Sequence, residues 1–577
     1  MFDIVIRGGT VVDGSGAAPF EADVAIDGTK IVAIGEGLGP AHREVDATGR
    51  LVTPGWVDIH THYDGQATWD PQLSPSSWHG VTTAVMGNCG VGFAPVHHDQ
   101  HDFLIQLMEG VEDIPGAALA EGLTWGWESF AEYLDVVDSM PRSIDVATQV
   151  PHGAVRAYVM GQRGADNEPA TANDIAEMRQ ITQDALEAGA LGFSTSRTFL
   201  HRAKDGKLVP GTNAETDELN AIGDALHAAG HGVFQIASGL DPEDAELEWM
   251  QHITDTTGRR VMFSVVQSSG NPDQWRRMLD ACDRNQAAGG LLTPMVAQRP
   301  AGVLMGWEST IHPFSVYAGY RAVADLPPEE RRSRLADPDV RASILDDPPD
   351  VKSFDGLLAL ICRGFENQYP LGDPPDYEPG PEASIAAIAD RAGVSWFEAA
   401  YDAMMDQDGR GLIYMPFLDY IDGNFDNLRE MMTHPLSVFG LSDGGAHCGL
   451  VCDASMPTYL LTHWARDRAR GERVPIERLV AKQTRETAAI YGLDDRGLLA
   501  PGLKADVNVI DFDGMYLHAP EMVYDLPANG RRLIQRVDGY DVTICSGEVI
   551  YEAGVATGAL PGKLIRGPQV APTCERP

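Results

Sequence analysis

The sequence predicts an α/β protein: a (β/α)8 TIM barrel, a small β module built from both chain ends, and a helical insertion before the last barrel strand. Three observations predict it. From Trp56 onward, short apolar runs rich in β-formers alternate about eight times with helix-patterned segments, which a parallel sheet explains most simply. Residues 1–54 and the stretch from about 498 to 566 read instead as strands and turns. A long excursion, about 300–435, separates the seventh barrel strand from the eighth.

In chain order, Ile4, Ile6 and Thr10 to Val12 are strand residues, and Gly8-Gly9, Asp13-Gly14 and Asp27-Gly28 mark tight turns. Val24 to Ile26 and Lys30 to Ile34 flank Asp27-Gly28 as a hairpin. No cluster of reactive side chains occurs here, so residues 1–54 read as a structural module. The barrel, residues 55–497, takes its strands from 56–60, 81–86, 145–150, 190–194, 232–237, 260–266, 290–297 and 436–441. Asn173 to Ala188 and Asp217 to Ala229 carry apolar residues at three- and four-residue steps and read as helices. Within the excursion, a charged, proline-punctuated part (Asp325 to Pro349) and a turn-rich part (Pro370 to Pro381) interrupt helical patterns. We expect it to cover the barrel mouth as a lid or an oligomer contact. Leu498 to Ile510 returns to β character, and Tyr540 to Tyr551 is a hairpin turning at Ser546-Gly547. Residues 567–577 lack periodicity and read as a C-terminal arm.

The chain of 577 residues carries 43 basic and 84 acidic residues, a net charge of −41. That excess argues against non-specific binding to nucleic acid or an anionic membrane. No apolar run approaches the ~20 residues needed to span a bilayer. The N-terminus reads as a strand and lacks the regions of a signal peptide. Seven cysteines without regular spacing do not make a disulfide framework, so a cytoplasmic setting with reduced thiols is expected.

The chemistry concentrates at the C-terminal ends of the predicted strands, where barrels place function. Gly55-Trp56-Val57-Asp58-Ile59-His60-Thr61-His62 is a short buried strand ending in two histidines. Positions i and i+2 of an extended chain face the same side, so His60 and His62 can point at one metal ion. After the second strand, Cys89 sits in Gly87-Asn88-Cys89-Gly90, where glycines allow a sharp turn. It is either a thiol aimed at a metal or a small buried hydrophobe. After the eighth strand comes Ser442-Asp443-Gly444-Gly445-Ala446-His447. Asp443 by itself reads as a helix cap. Its position beside the first strand of a closed barrel favours the metal site.

Further candidates follow the other strands. Arg197 is placed to grip a substrate carboxylate or to make a surface ion pair. His152 can line the pocket, His447 can orient substrate or replace a lost ligand, and Tyr63, which with Asp64 follows the histidine pair, is placed to support the metal residues or contact substrate. His97-His98-Asp99-Gln100-His101 has no strand support and reads as a polar loop.

These residues, in this order, resemble the amidohydrolase superfamily across nearly the whole chain, including its split β-sandwich and the closing Leu-x-Pro-Gly-Leu-Lys-Ala-Asp run (499–506). Gly80 to Gly90 and Gly189 to Ser196 look like the D-aminoacylase (N-acyl-D-amino-acid deacylase) branch. Such enzymes hydrolyse amide bonds with bound zinc. The resemblance implies His60, His62, Cys89 and Asp443 as metal-site residues, with Asp443 also the general base. One departure is serious. The branch normally has histidines at the ends of strands five and six, where this chain has Gln235 and, near the second position, Gln267. Glutamine is a poor zinc ligand beside imidazole. The lysine expected near strand six is missing too. We therefore expect one zinc per chain, a remodelled pocket lined by Gln235 and Gln267, and hydrolysis of an N-acyl amino acid or related small amide by a homo-oligomer. A cyclic amide, carbamate or ester substrate, and a non-catalytic barrel, are the alternatives.

Overall fold

The computed structural model describes residues 1–239, 243–346, 351–354 and 356–571. The fold is mixed α/β, built on two parallel sheets and one mixed sheet. The first parallel sheet pairs β1 (Trp56–Asp58), β2 (Val81–Met86) and the first part of β3 (Asp145–Thr148). The second starts with the continuation of β3 (Val150–Pro151). It adds β4 (Gly192–Ser196), β5 (Val233–Ala237), β6 (Arg260–Ser264), β7 (Leu292–Val296) and β8 (Val438–Phe439), each pairing with the next. Beyond the last of these strands, Thr61 forms a parallel bridge with Gly444, the His62 N–H donates to the Gly444 carbonyl at 2.8 Å, and the Asp443 N–H donates to the His60 carbonyl at 3.1 Å. Residues after β1 and after β8 are thereby locked side by side.

Alternation along these strands sorts the side chains. Val57, Ile59, Val85, Ala147, Leu191, Val233, Met262, Met295 and Val438 form one buried cluster, with a contribution from or beside every strand. The opposite face (Phe193, Phe234, Ile236, Val261, Phe263) packs on helices. These include α1 (His101–Glu112), α2 (His152–Met160), α3 (Ala172–Ala188), α4 (Thr216–Ala229), α5 (Glu243–Thr257) and α6 (Gln274–Ala287). Helix α3 starts on a capping box, in which Thr171 and Asp174 satisfy each other's backbone N–H groups. It stops at Gly189, whose φ of 124° suits only glycine.

The mixed sheet takes strands from both chain ends. Leu51–Pro54 runs parallel to Phe2–Val11 on one side and antiparallel to Val507–Ile510 on the other. The expected hairpin turning at Ser546-Gly547 joins Tyr540–Cys545 to Glu548–Glu552. Ile4, Ile6, Val24, Ile26, Val52, Val507, Val509 and Ile544 share one core. Burying each stabilises by about 1.5–3 kcal/mol.

Two expectations need correction. The excursion is not purely helical: Gly302–Met305, Ile413–Pro416 and Tyr369–Pro370 form an antiparallel sheet. These strands are short and pair only with partners far along the chain, so no local period announces them. The expected arm is partly fixed: Gln569 donates its N–H to Gly492 and accepts from Asp494 N–H, both at 2.8 Å. Residues 572–577 lie outside the described residues. The described cysteines are all free. Among the described residues no helix is long and apolar enough to cross a membrane.

Candidate metal centre

Local sequence shapes the site before any long-range packing does. Asp58 Oδ1 accepts the His60 N–H at 3.2 Å, and Oδ2 accepts Ser442 Oγ–H at 2.5 Å, so the first acidic residue of the motif braces both approaching loops. Burial pushes Asp58 up to about 6. The Cys89 turn depends on its glycines. A Cβ at Gly87 would meet the Gln149 carbonyl at 2.4 Å, and one at Gly90 would meet the Ser196 nitrogen at 3.0 Å. Cys89 itself has φ 56°, in the left-handed region that costs a side-chain-bearing residue energy. Asp443 (φ 47°) and His447 (φ 53°) share that strain. Strained backbone held by its surroundings is common at functional sites.

The convergence is tight. One ligand-capable atom each of His60, His62 and Cys89 lies within 4.8 Å of the others. Cys89 Sγ is 3.3 Å from His60 Nε2, Asp443 Oδ1 is 3.2 Å from the same nitrogen, and Asp443 Oδ1 is 3.6 Å from His62 Nε2. Two ligands of a tetrahedral zinc are about 3.3–3.8 Å apart, so the spacing fits a cation. His60 and His62 are at most 1% exposed, and His60 Nδ1, both His62 ring nitrogens and Asp443 Oδ1 have no hydrogen-bond partner. Buried polar atoms are rarely orphaned without a role. Burial raises Asp443, but the His60 and His62 imidazoles set against it outweigh that and hold the carboxyl well below its usual range. Burial lowers His62 to about 4, against the pull of Asp443, so it is neutral and able to donate a lone pair.

Of the predicted residues, His447 also reaches the cluster: its Nε2 is 3.7 Å from Asp443 Oδ2. Gln235 is fully buried on the inward face of β5, two residues above Val233, and neither end of its amide has a partner.

Four predicted substrate contacts are otherwise engaged. The Tyr63 hydroxyl donates to Ser76 Oγ at 2.7 Å in a closed interior. His152 spends both ring nitrogens, on Thr195 Oγ1 at 2.8 Å and Glu218 Oε1 at 2.7 Å. Arg197 grips Glu246 at 2.7 Å and donates to the Thr212 and Ala214 carbonyls at 2.7 and 3.0 Å, which leaves no fork for a carboxylate. Gln267 donates its side-chain amide to Asp422 at 3.1 Å. Each answers to a partner that sequence proximity does not reveal. The His97 cluster forms no donor group among the described residues; His101 opens α1 and stacks on Trp125.

Two residues of the site were missed. His201 lies in the loop after β4, with Nδ1 3.0 Å from Ser196 Oγ. Burial, with the nearby His447 and His62, pulls it to about 3. Glu112 is 1% exposed, 3.3 Å from His62 Nδ1 and 3.5 Å from His447 Nε2. A signal for Glu112 existed: it sits four residues after Met108, on the apolar stripe of α1 with Leu104, Leu107 and Val111.

A cavity of about 850 Å³ opens between the excursion and the 518–536 segment, lined by Trp307, Glu308, Arg332, Arg410, Tyr524 and Leu533. Leu533 also lines a separate crevice of about 20 Å³ that reaches Asp443.

The chain is similar to known proteins along most of its length. The D-aminoacylase of Alcaligenes xylosoxydans xylosoxydans is 26% identical over 98% of this chain and 97% of its own length. A solved D-aminoacylase structure superposes with a TM-score of 0.64 at 23% identity, covering 98% of this chain and 100% of the other. The N-acyl-D-glutamate deacylase of Bordetella bronchiseptica gives 0.63 at 24%, with the same coverage. Residues 43–551 match the amidohydrolase family, most of the chain and every residue of the donor cluster, so the protein belongs to that family.

Proposed function

We propose that the protein is a metal-dependent hydrolase of the amide C–N bond of N-acyl-D-amino acids, working with one divalent ion held by His60, His62 and Asp443, with Cys89 or water completing the shell. The observation that carries this is the spacing of those four side chains, together with the unpartnered His62 Nε2 and Asp443 Oδ1. The full-length relatives support the substrate class: they are a D-aminoacylase and deacylases of N-acyl-D-glutamate and N-acyl-D-aspartate. The solved N-acyl-D-glutamate deacylase holds zinc and a phosphonate mimic of its tetrahedral intermediate. The D-aminoacylase structure is described by a binuclear centre with one-metal activation and second-metal attenuation. Here Gln235 stands where such enzymes carry a strand-five histidine, and strand six offers none, which supports one ion.

The eight parallel strands are read as one closed barrel. The cluster that draws on every strand and the Thr61–Gly444 bridge support closure. Residues 1–54 with 498–566 are read as a separate β-sandwich domain on the barrel of 55–497, and 300–435 as an insertion forming one wall of the substrate approach.

A bound divalent ion supplies Lewis acidity to a water and to the amide carbonyl. Asp443, ionised between two imidazoles, takes a proton from the attacking water and returns it to the leaving nitrogen. His201 borders the place where the carbonyl oxygen gathers charge and serves there as an N–H donor. Gln235, unpaired inside the barrel, binds water or substrate with its amide.

The test is elemental analysis of the zinc-loaded protein with kinetics on matched N-acyl-D- and N-acyl-L-amino acids. About one zinc per chain and turnover confined to the D series are expected. Two full ions per chain end the single-metal reading, and equal turnover of both series ends the D-specific one.

A further inference from the structure

Glu112 lies outside the donor cluster and has no step in the proposed hydrolysis. It ends α1, 1% exposed, and its backbone fixes it there. The His447 N–H donates to the Glu112 carbonyl, and the next residue, Asp113, accepts from Gly449 N–H at 3.0 Å and Thr310 Oγ1–H at 2.9 Å. The last turn of α1 is thus pinned to the loop that carries Asp443. The Glu112 carboxylate is delivered between two imidazoles, Oε1 at 3.3 Å from His62 Nδ1 and Oε2 at 3.5 Å from His447 Nε2. Neither oxygen has a hydrogen-bond partner, and His62 Nδ1 has none either.

Stability does not account for this placement. A buried carboxylate without full hydrogen bonding costs several kcal/mol. The C-terminal end of a helix is the end whose partial charge repels an anion. An apolar residue would suit the stripe of Leu104, Met108 and Val111 better. Direct ligation does not account for it either. The donor cluster is His60, His62 and Cys89, and Glu112 faces the Nδ1 of His62, while Nε2 faces Asp443 at 3.6 Å.

We infer that Glu112 is a positioning residue for the metal centre: it takes the Nδ1–H of His62 on one oxygen and the Nε2–H of His447 on the other. This fixes the His62 tautomer that leaves Nε2 free to ligate, and it ties the Asp443 loop to that ring. A ligating imidazole commonly gives its other N–H to a carboxylate, which sets the ring's orientation and makes it a stronger donor. The inference rests on the metal-dependent reading above.

The experiment compares the wild type with Glu112→Gln, Glu112→Asp and His60→Ala. Zinc affinity of the metal-free protein is measured by chelator competition, and its melting temperature by circular dichroism. Glu112→Gln weakens zinc about 10- to 100-fold, while its metal-free form melts no lower than wild type, because a poorly paired buried charge is gone. Glu112→Asp keeps the carboxylate and recovers part of the affinity. If Glu112→Gln binds zinc like wild type while His60→Ala does not bind, the positioning role is overturned and the metal site stands. If His60→Ala also binds like wild type, the metal site itself is wrong. A melting temperature that falls with affinity unchanged marks Glu112 as a packing residue and overturns the inference. Should Glu112→Gln fail to fold, Glu112→Asp decides by the same affinity comparison.

Discussion

Asp443 and Gln235 are two residues with opposite endowments. Asp443 has a carboxyl held low by two imidazoles; Gln235 has a neutral amide with no partner at either end. Asp443→Asn keeps size and shape but cannot accept a proton, so kcat should fall at least about 100-fold, the usual worth of a general base. Circular dichroism should show an unchanged fold. Near-normal turnover with metal retained removes Asp443 from the base role. Gln235→Ala, by contrast, should raise KM and leave zinc in place. Loss of zinc in that variant would make Gln235 a ligand. Legibility at this scale was uneven for a physical reason. His60, His62 and Asp443 could be read because a two-residue alternation and a strand-to-turn boundary are local. The partners of Tyr63, His152 and Arg197 could not be read, because Ser76, Glu218 and Glu246 meet them across the fold.

At the scale of elements, α2 and α4 are joined by a buried group that has no part in the chemistry. Glu218 on α4 accepts from His152 at 2.7 Å and pairs with Arg156, both on α2. Burial raises Glu218, but His152 and Arg156 outweigh it and bring the carboxyl from 4.5 to about 2. His152 is held neutral by burial and acts as an N–H donor; Arg156 supplies the charge. A folded value below the unfolded one means stability present above about pH 4.5 and lost as pH falls toward 2, on the order of 3 kcal/mol. His152 acts in the same direction, because unfolding below pH 6.5 lets it take up a proton. Urea titrations should show Glu218→Gln less stable than wild type at pH 7, by a deficit that shrinks below pH 4.5. A deficit that is constant with pH contradicts this account.

The whole molecule is held together by a second buried group. Asp145 opens β3 and pairs with Arg496 at 2.6 Å and Lys504 at 3.1 Å, and it accepts the Lys563 N–H at 2.9 Å. Burial raises its carboxyl, but Lys504 and Arg496 outweigh that and lower it. These partners lead into the mixed sheet and its C-terminal extension, so Asp145 joins the first parallel sheet to the terminal segments. Asp145→Asn strands two buried cations, each left with one carboxylate, Asp495 or Asp506. It should cost about 3 kcal/mol, the low end for a broken buried pair, with a lower urea midpoint at unchanged zinc affinity. An unaltered midpoint would show the pair to be neutral.

The sequence by itself determined the order of the parallel strands, the sheet shared by both chain ends, the histidine pair, Asp443 and the absence of histidine from strands five and six. All of these are written in local periodicity, in turn residues, or in the identity of a residue at a strand end. Tertiary structure alone decided which polar side chains remain free for chemistry. Whether an arginine or imidazole is available depends on the carboxylate opposite it, and here those carboxylates lie tens of residues away. The same dependence hid Glu112, an acidic residue on an apolar stripe whose purpose shows only when His62 and His447 are brought to either side of it.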